Sequence, residues 1–83
     1  MTTEQKIKLL RETATDTLLT LAAAEGPQPR SLIYLRVGSD MELAQICQDL
    51  MTAQGWIVAT ADTIRLTPKG RGLVADCLPE AAK

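Results

Sequence analysis

The stretch LMTAQGWIVATADTIRLTPKGRGLV, residues 50–74, predicts a helix end, a β-hairpin and a helix start in direct succession. Gly55 follows an apolar helical segment and ends it. Two short runs with β-branched residues, WIVAT and TIRLT, come next with only two residues between them, as expected for an antiparallel hairpin. Thr67 then provides an N-cap hydroxyl, with Pro68 at the first helical position. The stretch therefore places a hairpin between two helices.

The preceding segment, SDMELAQICQDLMTAQG at 39–55, has the pattern of an amphipathic helix. Ser39 followed three residues later by Glu42 fits a capping box, which predicts the helix start at Ser39. Apolar residues recur at the spacing of one helical face, which we expect to be buried: Leu43, Ile46, Cys47, Leu50 and Met51. The residues expected to face solvent are polar: Glu42, Gln45, Gln48, Asp49 and Thr52.

Two further helices are predicted upstream. Thr2 and Gln5 form a capping-box pattern at the start of the first helix, which ends where Gly26 can adopt a left-handed conformation. A short second helix is predicted in PRSLIYLRVG, residues 29–38, with Pro29 in its first turn, although Ile33, Tyr34 and Val37 also favour a strand. Its inward residues are expected to be Leu32, Ile33, Leu35 and Val37.

This order of elements predicts a mainly α fold with a small β-hairpin. The chain has 83 residues, enough for a single domain with one modest core. We expect the chain to fray from about residue 79, after Leu78. The predicted core is aliphatic apart from one tryptophan: Leu18, Leu21, Leu43, Ile46, Leu50, Trp56, Ile57, Ile64 and Leu66.

The order of elements resembles the winged helix-turn-helix domain. An apolar helix end, a Gly-aromatic step at Gly55, a hairpin and the Leu-Thr-x-x-Gly start at 66–70 are similar to that family's pattern, over about residues 4–78. The chain also resembles small winged-helix proteins of the Mu-like phage type. The resemblance implies three helices, a hairpin wing and a C-terminal helix in one domain, residues 1–83. It also implies DNA-associated regulation, often by a dimer.

The distribution of charge departs from that family. The net charge is −1, but residues 39–62 contain four carboxylates and neither Lys nor Arg. The segments on either side are net positive. The third helix and the hairpin tip are therefore acidic, where DNA-binding members are usually basic, and an acidic surface is repelled by phosphates.

Composition and motifs argue against an enzyme. The chain has no His, so the commonest general base is absent. Cys47 and Cys77 fall on apolar helical faces, and we expect two buried, reduced and inert thiols. Two Cys without His do not complete a tetrahedral metal site, and no phosphate-binding glycine motif occurs, so no cofactor or small-molecule ligand is expected. Neither a membrane span nor a secretory signal is evident, which predicts a cytoplasmic protein.

Two functions remain open from the sequence. In the first, a non-enzymatic regulator, acting as a homodimer, binds duplex DNA weakly and with steep salt dependence. Its DNA-binding residues would be Arg30, Arg36, Ser39, Gln45, Gln48, Thr52, Arg65, Lys69 and Arg71. In the second, the scaffold is a protein-interaction module, as in a phage or prophage accessory protein, that binds a basic partner. Its interaction residues would be Asp40, Glu42, Asp49 and Asp62.

Overall fold

Seven elements make up the fold in a computed structural model that describes residues 2–24 and 26–77. They are, in chain order, α1 (Thr3–Ala23), β1 (Gln28–Pro29), α2 (Ser31–Arg36), α3 (Met41–Ala53), β2 (Ile57–Ala59), β3 (Thr63–Leu66) and α4 (Pro68–Cys77). The predicted fold class, mainly α with a small β-hairpin, is confirmed. The expected fraying from residue 79 lies outside the described residues.

Side-chain caps set two helix starts as predicted. The Thr2 hydroxyl accepts from the Gln5 N–H at 3.2 Å, and the Gln5 side chain accepts from the Thr2 N–H at 2.8 Å, which completes the capping box. At α4 the Thr67 hydroxyl accepts from the Gly70 N–H at 3.0 Å. Each cap satisfies an N–H that has no partner inside its helix.

The predicted cap of α3 at Ser39 is wrong by one residue. Gly38 and Ser39 have φ of 70° and 65°, so both adopt the left-handed conformation in the turn after α2. The N-cap is Asp40, in extended conformation, and its carboxylate accepts from the Leu43 N–H at 3.1 Å. An N-cap residue needs extended backbone, and after the left-handed Ser39 the first residue with that conformation is Asp40.

The segment around Pro29 also differs from the prediction. Pro29 lies in β1, not in α2, and pairs with Thr63 in an antiparallel bridge. A proline suits this position because β1 is an edge strand, where a missing N–H costs little. α2 is correspondingly short, and Leu35 is 69% exposed although it was expected to face inward. Gly26 does not adopt the left-handed conformation, since α1 ends instead with Ala24 in extended conformation.

The three strands form an antiparallel sheet in the order β1-β3-β2. Its hairpin pairs Ile57 with Leu66 and Val58 with Arg65. Ile57 and Leu66 are buried, whereas Val58 and Arg65 are exposed. Ile57 and Leu66, both predicted to lie in the core, therefore share the inner face of the hairpin.

The helices and the sheet share one hydrophobic core. Six predicted members are buried: Leu18, Leu21, Leu43, Ile57, Ile64 and Leu66. Trp56 is half-buried against that core. The prediction is wrong for Ile46 and Leu50, each of which is 45% exposed. α3 buries Leu43, Cys47 and Met51, which are spaced by four residues, so its buried stripe is narrower than the apolar pattern suggested.

Candidate interaction surface on α3

The exposed side of α3 combines apolar and acidic side chains. Met41 is 72% exposed, and Ile46 and Leu50 are also large apolar residues open to solvent. Glu42 and Asp49 are exposed and lie four residues before and three residues after Ile46, so the three share one face of the helix. We call Met41, Glu42, Ile46, Asp49 and Leu50 the α3 surface.

A groove adjoins the α3 surface where α2, α3 and the hairpin turn meet. Its volume is about 430 Å³. The apolar side chains along it come mainly from α2 and α3: Ile33, Tyr34, Met41 and Ala44. Its polar lining includes four residues that the sequence predicted as functional: Arg30, Gln45, Gln48 and Asp62.

Arg30 joins α3 to the hairpin turn. Its Nε donates to the Gln48 Oε1 at 3.0 Å, and its Nη1 donates to the Ala61 carbonyl oxygen at 3.1 Å. Its backbone N–H donates to the Asp62 carbonyl oxygen at 3.1 Å. These three bonds fix Arg30 at one end of the groove and occupy two of the N–H donors of its guanidinium.

The polar residues of α3 that were predicted to contact DNA also have partners within the chain. Gln45 Nε2 donates to the Asp49 Oδ1 at 2.8 Å, and Gln48 accepts from Arg30. The Thr52 hydroxyl donates to the Gln48 carbonyl oxygen at 2.8 Å. Both glutamines would have to break a side-chain bond before they could pair with a base edge.

The cations predicted to bind phosphates fall into two groups. Arg36, like Arg30, has partners within the chain: its Nη2 donates to the Thr20 hydroxyl at 2.9 Å, and its Nη1 lies 3.6 Å from an Asp16 carboxylate oxygen. The other group is exposed on the hairpin and α4, and within residues 2–24 and 26–77 no carboxylate lies within ion-pair distance of it. Its members are Arg65, Lys69 and Arg71.

The four predicted acidic interaction residues occupy different places. Asp40 caps α3, Asp49 is held by Gln45, and Glu42 is exposed in the first turn of the helix. Asp62 lies in the hairpin turn and lines the groove. Three of the four therefore lie on α3 or at its start, next to the exposed apolar residues.

The two cysteines differ in environment. Cys47 is fully buried, and burial raises the pKa of its thiol to about 11. The prediction that Cys77 is also buried is wrong: it is exposed, because the last described buried residue of α4 is Val74 and Cys77 lies beyond it. In the described part of the chain, no group of three or more potential ligands is placed to hold a metal ion.

Sequence reasoning missed the apolar members of the α3 surface. It assigned Ile46 and Leu50 to the core and gave Met41 no role. A signal was present in the four-residue spacing of Leu43, Cys47 and Met51, which alone defines a complete buried stripe. The other large apolar residues of the helix, Met41, Ile46 and Leu50, are not needed to complete that buried face.

Comparison with known proteins gives no assignment. No protein-family model, curated protein or solved structure matches the chain. Among the described residues, no helix has both the length and the apolar character needed to cross a membrane. The interpretation of the α3 surface therefore depends on its own geometry and charge.

Proposed function

We propose that the protein is a non-enzymatic interaction module that binds a basic protein partner through the α3 surface. The observation that supports this function is the exposure of Met41, Ile46 and Leu50. They lie within residues 39–62, which contain four carboxylates and no Lys or Arg. Burial of the apolar side chains would supply binding energy, and the carboxylates would select a partner with Lys or Arg beside its own apolar residues.

The same surface is poorly suited to DNA. Glu42 and Asp49 would approach the phosphates with like charge, which lowers both affinity and association rate. Both glutamines that were expected to contact bases, Gln45 and Gln48, are hydrogen-bonded within the chain. A protein partner avoids both costs.

The scaffold that we propose for this module is winged-helix-like. Three helices with a hairpin directly after the third, and β1 pairing with β3 of that hairpin, support this proposal. A cytoplasmic location belongs to the same proposal, since both cysteines are free thiols, as is usual in a reducing compartment.

A second candidate function is weak DNA binding by the hairpin and α4. Arg65, Lys69 and Arg71 favour it, because they are exposed and unpaired with any described carboxylate. Each phosphate contact adds about 0.9 to the slope of log affinity against log salt, so three cations predict low affinity with a shallow salt dependence, and a dimer that doubled their number would raise both. In this function α3 would face away from the duplex.

A cationic peptide probe tests the proposed function. The probe is a labelled synthetic amphipathic helix with Leu on one face and Lys on its flanks, and binding is followed by fluorescence anisotropy. Glu42→Gln with Asp49→Asn should weaken binding several-fold, because it removes the complementary charge. Glu12→Gln with Asp76→Asn makes the same change in net charge elsewhere on the surface and should have little effect. An equal loss of peptide affinity in the two double variants would mean that net charge, not the α3 surface, attracts the probe.

The apolar part of the surface is tested with the same probe. Ile46→Ala with Leu50→Ala should weaken binding and reduce the part of the affinity that persists at high salt. Ile7→Ala with Leu35→Ala removes two other exposed apolar side chains and serves as the matched control. Unchanged binding after the α3 pair would refute an apolar contact there.

A further inference from the structure

We infer that the α3 surface also binds a second copy of this chain, in a contact with the hairpin and α4. This inference rests on the proposed function of the α3 surface. The surface of the second copy that would enter the contact consists of Val58, Arg65 and Lys69, which we call the basic surface.

The basic surface has the composition that the α3 surface requires. Val58 and Arg65 are cross-strand partners on the outer face of the hairpin, and both are exposed. Lys69 extends along the start of the hairpin, where a β-carbon on Gly55 would lie 3.5 Å from its Cδ. An apolar residue therefore lies beside cations on this surface, just as apolar residues lie beside carboxylates on α3.

Neither surface neutralises the other within one molecule. Among the described residues, the ion pairs are Lys8 with Glu12 and Arg36 with Asp16, and neither pair includes a member of the two surfaces. Bringing the surfaces of two molecules together would pair Glu42 and Asp49 with cations while removing apolar area from water on both sides.

The charges also select the geometry of the contact. A symmetric contact of α3 with α3 would bring the carboxylates of two copies together, which costs affinity. The contact of α3 with the basic surface joins two different patches. If it forms once between two molecules it is heterologous and continues into rings or open chains, and if it forms twice about a two-fold axis it closes a dimer.

Light scattering coupled to size-exclusion chromatography tests this inference with two one-sided variants. Glu42→Gln with Asp49→Asn removes the charge of the α3 surface, and Arg65→Gln with Lys69→Gln removes the charge of the basic surface. At low salt the mass of the wild type should rise with concentration to that of a dimer or more, and it should return to the mass of one chain at high salt. Each variant alone should remain monomeric.

A mixture of the two variants is the decisive sample. Each variant retains the surface that the other lacks, so the mixture should form pairs and stop at twice the mass of one chain. A wild type that stays monomeric at all concentrations and salts overturns the inference, and so does self-association of the α3 variant alone. If the wild type is monomeric but still binds the cationic peptide through α3, the proposed function stands and only the second copy is excluded. If the wild type is monomeric and also fails to bind the cationic peptide through α3, both the proposed function and this inference are rejected.

Discussion

Gly70 lies against the carbonyl oxygen of Trp56, in a space that a β-carbon would overlap. Thr67 fixes the same junction: its N–H donates to the Trp56 carbonyl oxygen at 3.0 Å, and its hydroxyl accepts from the Gly70 N–H. The Leu-Thr-x-x-Gly pattern thus joins the start of α4 to the first residues of the hairpin. Its glycine is required for close approach, and its threonine is required for the cap.

Gly70→Ala should therefore destabilise the protein. The new methyl would overlap the Trp56 carbonyl oxygen and would also lie 2.8 Å from Leu66 Cδ1, so α4 or the hairpin must shift, at about 1–3 kcal/mol or more. Gly72→Ala is the matched control, because nothing lies within 4 Å of its β-carbon position. It should stabilise the helix by about 0.4–1 kcal/mol. Urea unfolding measures both, and effects of the same sign would contradict this packing.

Replacement of neighbouring residues tests the buried side of α3. Met51 is fully buried, so Met51→Ala should lower the free energy of unfolding by about 2–5 kcal/mol. Leu50 is half exposed, and Leu50→Ala should cost less than about 1 kcal/mol. Thermal unfolding of both variants checks that Met51→Ala is the more destabilising change. A larger loss at Leu50 would mean that α3 is rotated about its axis.

The cap of α3 predicts that substitutions at Asp40 and at Ser39 differ in their effect on stability. Asp40→Ala removes the acceptor of the Leu43 N–H and should cost about 1 kcal/mol, whereas Asp40→Asn should retain most of the stability. Ser39→Ala should change stability by less than about 0.5 kcal/mol, because no cap is lost. Chemical unfolding that ranks Ser39→Ala as the more damaging change would place the helix start one residue earlier.

Stability should depend on pH through Cys47. Its pKa rises from 9.0 to about 11 in the folded protein because burial disfavours the thiolate. Between these values the unfolded chain loses the proton while the folded chain keeps it, so stability falls as pH rises from 9 to 11. Cys47→Ala should show a shallower fall over the same interval, since the other titrating groups are unchanged. Parallel curves for the two proteins would exclude this source of pH dependence.

Local chemistry accounts for the parts of the fold that sequence predicted well. The caps at Thr2 and Thr67 and the two faces of the hairpin depend on residues within a few positions of one another. β1 was missed because its pairing with β3 joins Pro29 to Thr63, which are far apart in the sequence. The width of the buried stripe on α3 was overestimated because it depends on which elements pack against the helix.

The features of the α3 surface and its neighbours also divide into those that depend on nearby residues and those that depend on packing between elements. Its acidity is evident from residues 39–62 alone, without knowledge of the fold. The bond between Arg30 and Gln48 joins residues 18 positions apart and follows only from the packing of α2 against α3. The charge of α3 and the bond of Gln45 to Asp49, four residues apart on one helix, are therefore predictable from sequence, whereas the bond of Arg30 to Gln48 is not.

The most direct test of the central claim, that the α3 surface binds protein and not DNA, is one NMR titration. Backbone amide shifts of the ¹⁵N-labelled chain are recorded at low ionic strength with the cationic peptide and, separately, with a short duplex DNA. We predict that the peptide shifts amides of Met41–Ala53, and that any shifts caused by the duplex cluster around Arg65, Lys69 and Arg71. Duplex-induced shifts centred on α3, or a peptide that leaves α3 unchanged, would contradict the claim.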